Sequence, residues 1–303
     1  MITIIICTYN REKYIGPLLE SIAKNDYPKG DYEILLVDNN CTDNTRAVCQ
    51  SFAETHKDVN FRYVVEPEQG LSAARNKGIK ESKGDIIIYV DDDALVDSNY
   101  ISSYADHLAN NPNTMAAGGP IEPLYETEEP KWMSPYTKAL LTAWMNYGTK
   151  VCEYPKGRYP GGGNAAYRKV VFDKVGLFNT ELGRKGTALL ASEEKDIFDK
   201  MHALGMQVKY LPIPVLHHII PQAKLEKPYF ERLTRQIGVS ERARTLAISK
   251  SKYISRLGSE LIKWCGTLAL LCLYTLQGNP YKGWKLVLFR KNVTAGLLNL
   301  TKQ

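Results

Sequence analysis

Residues 85 to 93, Asp85-Ile-Ile-Ile-Tyr-Val-Asp-Asp-Asp93, indicate how this chain folds. The predicted strand, Asp85 to Val90, is almost continuously apolar, which is typical of a strand that is covered on both faces of a parallel sheet. Gly84 supplies a stop for the helical stretch before it. Because three carboxylates follow the strand directly, we expect a polar site where it ends.

Three similar runs lie earlier in the chain and alternate with helical stretches. The predicted strands are Ile2–Cys7, Glu33–Val37 and Phe61–Val65, and the predicted helices are Arg11–Lys24, Asp43–Thr55 and Ser72–Ser82. Strands and helices that alternate at this spacing form βαβ units with right-handed crossovers. The sequence therefore predicts an α/β protein with a doubly wound, Rossmann-like sheet.

The later part of the chain is less regular. Between Asn111 and Gly163 prolines interrupt the pattern, so we expect loops and a short helix there. We expect this region, which contains Trp132 and Trp144, to shape an acceptor site. Further predicted elements are helices at Val170–Val175 and Glu193–Ala203 and a strand pair at Val208–Leu211 and Val215–Ile219. We predict a first domain of residues 1–225 and a helical C-terminal extension of residues 226–303.

Charge is distributed unevenly along the 303 residues, of which 44% are apolar and 24% charged. Residues 251–303 contain eight Lys or Arg and one acid, Glu260, and therefore have a net charge of +7. Because the net charge of the whole chain is +6, residues 1–250 have a net charge of −1. Basic charge mixed with apolar runs at one end favours an anionic lipid surface over nucleic acid. The alternative is a solvated, basic helical tail.

The apolar run Trp264–Leu276 within this tail has 13 residues. As a helix it would span roughly 20 Å, short of the roughly 30 Å hydrocarbon core of a bilayer, so we do not expect it to span a membrane. With Trp284–Phe289 it is predicted to lie in an anionic membrane interface or to pack against another subunit as a homodimer.

Cysteine use and the N-terminal residues predict the compartment. The six cysteines show no short paired spacing typical of a zinc site and are interpreted as reduced, buried thiols. The apolar start Met1–Cys7 is followed by Asn10, Arg11 and Glu12, which does not fit a signal peptide. We expect a cytoplasmic protein, peripheral at most on the inner face of the cell membrane.

Polar residues follow each of the first four predicted strands. They are Thr8, Tyr9, Asn10 and Arg11, then Asp38, then Glu66, and finally Asp91, Asp92 and Asp93. Ligands of such sheets bind outside the carboxyl ends of the strands. Three adjacent carboxylates repel one another unless a cation neutralises them, which predicts Mg²⁺ or Mn²⁺ beside a diphosphate. An acidic capping loop is the alternative for the triplet, and an Asx turn is the alternative for Asp38.

Four later motifs add candidate residues. Arg75 could bind phosphate or carboxylate, or form a surface salt bridge. Gly161–Gly163 lets the backbone approach a ligand closely, and Asn164 adds an amide. Ser192 and the acids after it open a helix, where a carboxylate could act as a general base or only as a helix-end charge. One histidine of the pair His217-His218 could bind the metal beside Asp93, or both could be structural.

Taken in order, the motifs Cys7–Arg11, Val37–Asp43, Gly70–Gly78, Val90–Asp93, Gly161–Ala166 and Ser192–Asp196 resemble glycosyltransferase family 2. The resemblance implies a GT-A fold over residues 1–225. It implies that Thr8, Tyr9, Asn10 and Asp38 hold the nucleoside, and that Arg75 lines the donor site. Asp91 and Asp92 would contact ribose or donor sugar, and Asp93 would bind the metal.

The remaining site predictions complete this resemblance. Arg11, Glu66 and Asn164 are placed among the donor contacts, and Asp91, His217 and His218 among the metal ligands. Where the family has a Glu-Asp pair whose aspartate is the base, this chain has Glu193-Glu194. We therefore expect either Glu194, with one extra methylene, or Glu193 to take the acceptor proton.

These features predict a metal-dependent, inverting transferase. It would move a sugar from a nucleotide diphosphate, most simply a UDP-sugar, to a glycan or lipid-linked acceptor in cell-surface polysaccharide synthesis. A sugar-1-phosphate nucleotidyltransferase is an alternative, but it would need a glycine-rich phosphate loop where this chain has Thr8-Tyr9-Asn10-Arg11. A non-catalytic, membrane-bound scaffold that binds sugar nucleotide is the second alternative.

Overall fold

A computed structural model describes residues 1–155, 157–183 and 193–300. Its strands are β1 (Ile2–Thr8), β2 (Tyr32–Asp38), β3 (Phe61–Val65), β4 (Ile86–Asp91), β5 (Ala94–Val96), β6 (Thr114–Gly118), β7 (Ile121–Tyr125), β8 (Cys152–Glu153), β9 (Asn164–Arg168), β10 (Gln207–Tyr210) and β11 (Leu216–Ile220). Its helices are α1 (Glu12–Ala23), α2 (Thr45–Thr55), α3 (Leu71–Glu81), α4 (Tyr100–Asn110), α5 (Pro135–Thr142), α6 (Val170–Val175), α7 (Glu193–Ala203), α8 (Gln222–Leu225), α9 (Lys227–Ile248), α10 (Lys250–Leu276) and α11 (Pro280–Leu297).

The first four strands form the parallel sheet that their hydrophobic runs predict. They lie in the order β3-β2-β1-β4, and β1 pairs in parallel with both β2 and β4. Helices α1, α2 and α4 contribute to the core on one face, and α3, α6 and α7 to the core on the other. This arrangement confirms the α/β, doubly wound prediction, because helices pack against both faces of the sheet.

Two predictions for the later strands are wrong. The region predicted as loops and a short helix contains β6, which lies inside the large sheet between β9 and β10. Its sequence, Thr-Met-Ala-Ala-Gly, is too poor in β-branched residues for sequence periodicity to reveal it. The predicted strand pair near residues 208–219 is not a pair. Instead β10 joins the large sheet, and β11 lies between β5 and β7 in a separate three-stranded sheet.

The chain divides into two compact units. Unit 1 comprises Met1–Leu124 and Ala143–Ile219, and unit 2 comprises Tyr125–Thr142 and the residues from Ile220 onward. The segment 125–142, which sequence analysis assigns to the first domain, therefore groups with the C-terminal helices. The boundary at residues 225 and 226 remains a prediction.

Unit 2 is built from helices that pack closely. A Cβ atom placed on Gly238 of α9 would lie 2.1 Å from the carbonyl oxygen of Val293 in α11, so glycine permits this approach. Glu260 of α10 is 3% exposed and accepts hydrogen bonds from Arg256 at 2.7 Å and Arg290 at 3.0 Å. The single acid of the basic tail therefore ties α10 to α11.

Helix α10 differs from its prediction in two respects. It has 27 residues, about 40 Å of helix, and among the described residues it is the one helix whose length and composition would permit a membrane span. Although the apolar run Trp264–Leu276 has only 13 residues, the whole helix is long enough to cross the roughly 30 Å hydrocarbon core of a bilayer. The expectation of buried thiols is wrong for Cys265 and Cys272, which are exposed on this helix, whereas Cys49 is buried.

Candidate active site

The carboxyl ends of three strands meet in unit 1. Thr8 at the end of β1 is in register with Asp38 at the end of β2, and Cys7 is in register with Asp91 at the end of β4. The polar residues that follow these strands therefore lie along one edge of the sheet, as parallel pairing requires.

Hydrogen bonds between loops shape this edge. Asn10, with a positive φ of 55°, accepts from the amide of Thr42 at 2.8 Å. The side chain of Asn39 donates to the carbonyl oxygens of Glu66 and Glu68 and accepts from the amide of Gly70 at 2.8 Å. Both asparagines thus connect neighbouring loops, so their side chains shape this edge of the sheet.

Asp38 has partners for both carboxylate oxygens. Its Oδ1 accepts from the amide of Cys41, three residues on, at 2.7 Å, which is one residue further than in the Asx turn considered from the sequence, and its Oδ2 accepts from the hydroxyl of Tyr63. Glu66 accepts from the amide of Glu68 at 2.8 Å. Each carboxylate oxygen can accept more than one hydrogen bond, so a contact with a nucleoside remains compatible with this geometry. Tyr63 is a residue that sequence analysis missed.

The acidic triplet has a cationic partner within the chain. Arg11 Nε lies 3.1 Å from Asp92 Oδ1, and Arg11 Nη2 lies 3.6 Å from Asp93 Oδ2. Burial raises the pKa of Asp92 to about 6, the Arg11 guanidinium opposes this rise, and the charges of Asp93 and Asp91 add to it. Arg11, predicted as a donor contact, therefore holds the acids together.

The two histidines of β11 have different neighbours. His218 Nε2 lies 3.4 Å from Asp93 Oδ1, and this side chain is 12% exposed. His217 Nε2 instead lies 2.9 Å from Asp97 Oδ1, near β5. Of the two histidines, it is therefore His218 that lies beside the acidic triplet.

A divalent cation fits this pair of side chains in part. Carboxylate oxygen is a typical ligand of Mg²⁺ and Mn²⁺, whereas imidazole nitrogen is more typical of Zn, Cu, Fe and Ni ions. Within residues 1–155, 157–183 and 193–300 no three His, Cys, Asp or Glu side chains form a group that could hold a metal ion. Diphosphate oxygens and water are ligands that could complete the coordination of a metal bound by Asp93 and His218.

Arg75 joins the two candidate bases. Its guanidinium is buried, with Nη1 at 2.8 Å from Glu193 Oε1 and Nη2 at 2.9 Å from Glu194 Oε1. Burial disfavours the charge of Arg75, but Glu194, Glu193 and Asp91 raise its pKa above the ordinary value. Glu193 is 1% exposed at its side chain and Glu194 is 17% exposed, so Glu194 is the more accessible carboxylate. Ser192, the predicted N-cap, lies outside the described residues.

Two aromatic rings hold Arg75 in place. The guanidinium carbon lies 5.7 Å from the ring centroid of Tyr89 and 5.4 Å from that of Phe178. The hydroxyl of Tyr89 also donates to the carbonyl oxygen of Arg75 at 3.1 Å. Arg75 is therefore a fixed, buried cation rather than the surface salt bridge considered from the sequence. Sequence analysis identified neither Tyr89 nor Phe178 as a site residue. In the sequence, Tyr89 cannot be distinguished from a core residue of the strand.

The glycine loop lies against the acids of the site. A Cβ atom on Gly162 would come within 1.8 Å of Glu194 Oε1, and one on Gly163 within 2.0 Å of Asp91 Cγ. The close approach predicted for this loop is therefore an approach to carboxylates of the protein itself. Asp91 and Glu194 consequently lie against one short backbone segment.

Asn164 has a structural environment that opposes a donor contact. Its side-chain oxygen accepts from the hydroxyls of Tyr100 and Tyr104, both at 2.7 Å. Its side-chain nitrogen donates to the carbonyl oxygens of Pro120 and Pro214. The residue is fully buried and all four hydrogen-bonding positions of its amide are used, and its contact with the donor stays a prediction.

Trp132 and Trp144 lie in different units. Trp144 in unit 1 donates to Glu122 Oε2 at 3.0 Å, whereas Trp132 in unit 2 packs against Phe230. A shared acceptor site for both tryptophans remains a prediction.

Curated proteins related to this chain are glycan-synthesis proteins by name. The chain is 26% identical over 198 residues to a glucosyl-dolichyl phosphate glucuronosyltransferase of Haloferax volcanii, covering 65% of this chain and 61% of the relative. It is 24% identical to the succinoglycan biosynthesis protein ExoM of Rhizobium meliloti over 97% of this chain and 92% of the relative. The chain thus spans about three fifths of the Haloferax protein.

Solved structures share the fold. The mannosyltransferase PcManGT from Pyrobaculum calidifontis, in complex with GDP-Man and Mn²⁺, superposes with a TM-score of 0.62 at 19% identity over 98% of this chain and 86% of that chain. S. aureus TarS in complex with UDP gives a TM-score of 0.52 at 19% identity, covering 78% of this chain and 64% of that chain. The fold is that of GT-A glycosyltransferases, with added C-terminal helices.

The profile of glycosyl transferase family 2 matches residues 3–176. This match covers more than half of the chain and includes β1 to β4 with the acidic triplet and the glycine loop. The chain belongs to glycosyl transferase family 2.

Proposed function

We propose that this glycosyltransferase inverts the anomeric centre of a sugar that it moves from a nucleotide diphosphate to an acceptor hydroxyl. The observation that carries the proposal is the position of Glu194. It lies against the same glycine loop as Asp91, is held by the buried Arg75, and is more exposed than Glu193. A general base beside a donor-binding acidic cluster is what a single displacement needs.

In this mechanism Glu194 accepts the proton of the acceptor hydroxyl. The acceptor oxygen forms a bond to the anomeric carbon, and the bond from that carbon to the diphosphate oxygen breaks. The electron pair leaves with the nucleoside diphosphate, through a transition state of oxocarbenium character. Arg75 orients Glu194 through the hydrogen bond at 2.9 Å.

We assign Asp93 and His218 as the protein ligands of Mg²⁺ or Mn²⁺. When bound, such an ion supplies positive charge that stabilises the diphosphate leaving group. Asp91 and Asp92 are proposed to contact ribose or donor sugar, and Thr8, Tyr9, Asn10, Asp38 and Glu66 to surround the nucleoside. The solved PcManGT structure, in complex with GDP-Man and Mn²⁺, supports a divalent ion.

A UDP-sugar is our proposed donor and a glycan or lipid-linked hydroxyl our proposed acceptor. The nucleotide in the TarS structure is UDP, which supports the donor class. The names of the Haloferax and Rhizobium relatives support an acceptor in glycolipid or polysaccharide synthesis. On this proposal the protein acts on cell-surface polysaccharide from the cytoplasmic side.

Release of nucleoside diphosphate from UDP-, GDP- and dTDP-sugars, with and without EDTA, tests the function. We expect release that stops with EDTA and returns with Mn²⁺. A reaction that instead consumes a nucleoside triphosphate and a sugar phosphate would identify a nucleotidyltransferase. Tight sugar-nucleotide binding without turnover under any acceptor would identify a scaffold.

We also propose that the helices of unit 2 contact an anionic membrane surface peripherally. Exposed apolar residues of α10, including Ile254, Leu261 and Ile262, occur among the basic residues of the tail, which supports this proposal. Flotation of the full chain with anionic vesicles is the expected result. Failure to float, together with a defined dimer in solution, would favour a homodimer through these helices.

A further inference from the structure

Unit 2 holds an apolar cavity that is lined by none of the donor, metal or base residues proposed above. Its volume is about 410 Å³, within the roughly 300–1,000 Å³ typical of small-molecule sites. The cavity is lined by Lys131, Trp132, Tyr281, Trp284, Lys285 and Leu288. Aromatic walls with two cationic side chains suit a ligand that has an apolar part and an anionic part.

Lys285 is the distinctive cation of this cavity. Its Nζ lies 3.9 Å from the ring centroid of Trp132 and 4.0 Å from that of Phe230, and it forms no ion pair within the described part of the chain. Burial lowers the pKa of Lys285, Glu231 opposes this change and Lys227 adds to it. An ammonium group that is held against aromatic rings, with no carboxylate at ion-pair distance among the described residues, can still bind an anion.

The cavity lies beside an exposed apolar tip. Leu276 ends α10 and is 86% exposed, while Tyr281 and Trp284 at the start of α11 are 67% and 61% exposed. Tyrosine and tryptophan next to lysine are typical of segments that lie at the boundary between lipid and water. The cavity therefore adjoins the part of unit 2 best suited to enter a membrane interface.

We propose that this cavity binds an anionic membrane lipid, with its phosphate at Lys131 and Lys285 and its chain against Trp132, Trp284 and Leu288. A second copy of the chain is a poorer occupant, because it would present the same excess of positive charge. The proposal extends the membrane contact proposed above and does not depend on the transfer reaction.

A monomeric lipid separates cavity binding from binding to a bilayer. The probe is dihexanoyl phosphatidylglycerol below its critical micelle concentration, titrated into the full chain and followed by calorimetry and tryptophan fluorescence. Dihexanoyl phosphatidylcholine and inorganic phosphate are the comparison ligands. We expect saturable binding of phosphatidylglycerol about tenfold tighter than that of either comparison ligand, as expected for a charge-assisted hydrogen bond combined with apolar contact.

Matched variants on α11 locate the site. Lys285→Gln should weaken phosphatidylglycerol binding about tenfold. Lys285→Arg, which keeps the charge, should bind nearly as wild type. Lys291→Gln removes the same charge from an exposed position of α11 outside the cavity and should leave binding unchanged. Thermal unfolding of each variant verifies that the variant is folded. Because Lys285→Gln and Lys291→Gln have the same net charge, a difference between them is not an effect of overall charge.

Several results would overturn the proposal. Equal affinity for phosphatidylcholine would leave only an apolar pocket, and equal affinity for inorganic phosphate would leave only an anion site. An equal loss in Lys291→Gln would reduce the effect to overall charge. Absence of monomeric lipid binding would also reject it, even if the protein floats with vesicles, in which case the membrane contact survives without this site.

Discussion

Arg75 shows how a single residue organises the candidate site. It is 3% exposed and holds Glu193 and Glu194 through separate nitrogens, at 2.8 and 2.9 Å. Breaking a buried ion pair by removing one partner typically costs about 3–5 kcal/mol, so the three residues depend on one another for stability. Glu193 and Glu194 are adjacent in sequence but differ in exposure. We therefore propose the more exposed Glu194 as the base and the buried Glu193 as a positioning residue.

Glu194→Gln should lower turnover by about 10² to 10⁴, because glutamine keeps the shape of the side chain but cannot accept the proton. Donor affinity should stay near the wild-type value, since the proposed donor contacts are unchanged. Turnover by product formation and affinity by calorimetry measure the two effects. Asp196→Asn, on the same helix and paired with Lys200, is the control and should retain activity. Near-normal turnover of Glu194→Gln would eliminate this mechanism.

Metal-dependent nucleotide affinity should distinguish the two histidines of β11. His218→Ala should reduce it at least about tenfold, because even indirect support of a metal ligand is worth that much. Asp93→Ala should abolish it. His217→Ala is the matched control, since His217 pairs with Asp97 instead. Titration of UDP with and without Mn²⁺ measures the effect, and equal losses in the two histidine variants would contradict our metal assignment.

The element that joins the two halves of the site is the glycine loop before β9. Its backbone passes so close to Asp91 and Glu194 that neither Gly162 nor Gly163 has room for a side chain. The loop also bonds directly to the acidic strand, because the amide of Asp91 donates to the carbonyl oxygen of Gly163 at 3.2 Å. Strand β9 pairs antiparallel with β4, so the sheet itself holds the loop in this position.

Gly163→Ala should impair both stability and turnover. The added methyl group would lie 2.0 Å from Asp91 Cγ, so the loop or the carboxylate must move. Overpacking of this kind typically costs about 1–3 kcal/mol. Gly30→Ala is the control, because a Cβ atom there meets nothing within 4 Å. Urea unfolding and turnover measure the two effects, and a Gly163→Ala protein with wild-type activity would show that this close contact is not needed.

At the scale of the whole molecule, the basic tail is organised around its one acid. Glu260 is buried between Arg256 and Arg290 and accepts a further hydrogen bond from Thr294 at 3.3 Å. Burial raises the pKa of Glu260, but the hydrogen bonds from both arginines prevail and lower it below the ordinary value. The fold of unit 2 therefore depends on an ionised carboxylate.

Glu260→Gln should destabilise the protein by up to about 3–5 kcal/mol at pH 7, as removal of one partner of a buried ion pair does. Because the folded pKa is lowered, the stabilisation is present above the unfolded value of about 4.3 and is lost as the pH falls through the folded value. The difference between wild type and variant should therefore shrink between pH 6 and pH 3. Urea unfolding followed by circular dichroism measures it, with Glu226→Gln, at an exposed position, as control. A difference that does not vary with pH would contradict this role.

Local sequence patterns were sufficient to predict the first half of the fold. Strands β1 to β4 and helices α1 to α3 match their predicted limits to within one or two residues, because long apolar runs and helical spacing are properties of neighbouring residues. Parallel pairing then brings the strand-end residues Thr8, Asp38 and Asp91 to one edge. The acidic cluster could therefore be predicted from local patterns, whereas the family was predicted from the resemblance of the ordered motifs.

Long-range pairing decided the rest. Arg75 and Glu193 are 118 positions apart, so no local pattern predicts their contact. His217 and His218 are chemically identical, and only the antiparallel pairing of β11 with β5 shows which of them lies beside Asp93. Asn164 resembles a ligand contact in sequence, but the buried hydroxyls of Tyr100 and Tyr104 use its oxygen. Side chains alternate between the faces of a strand, so their partners depend on register, which is set by the packing of the whole sheet.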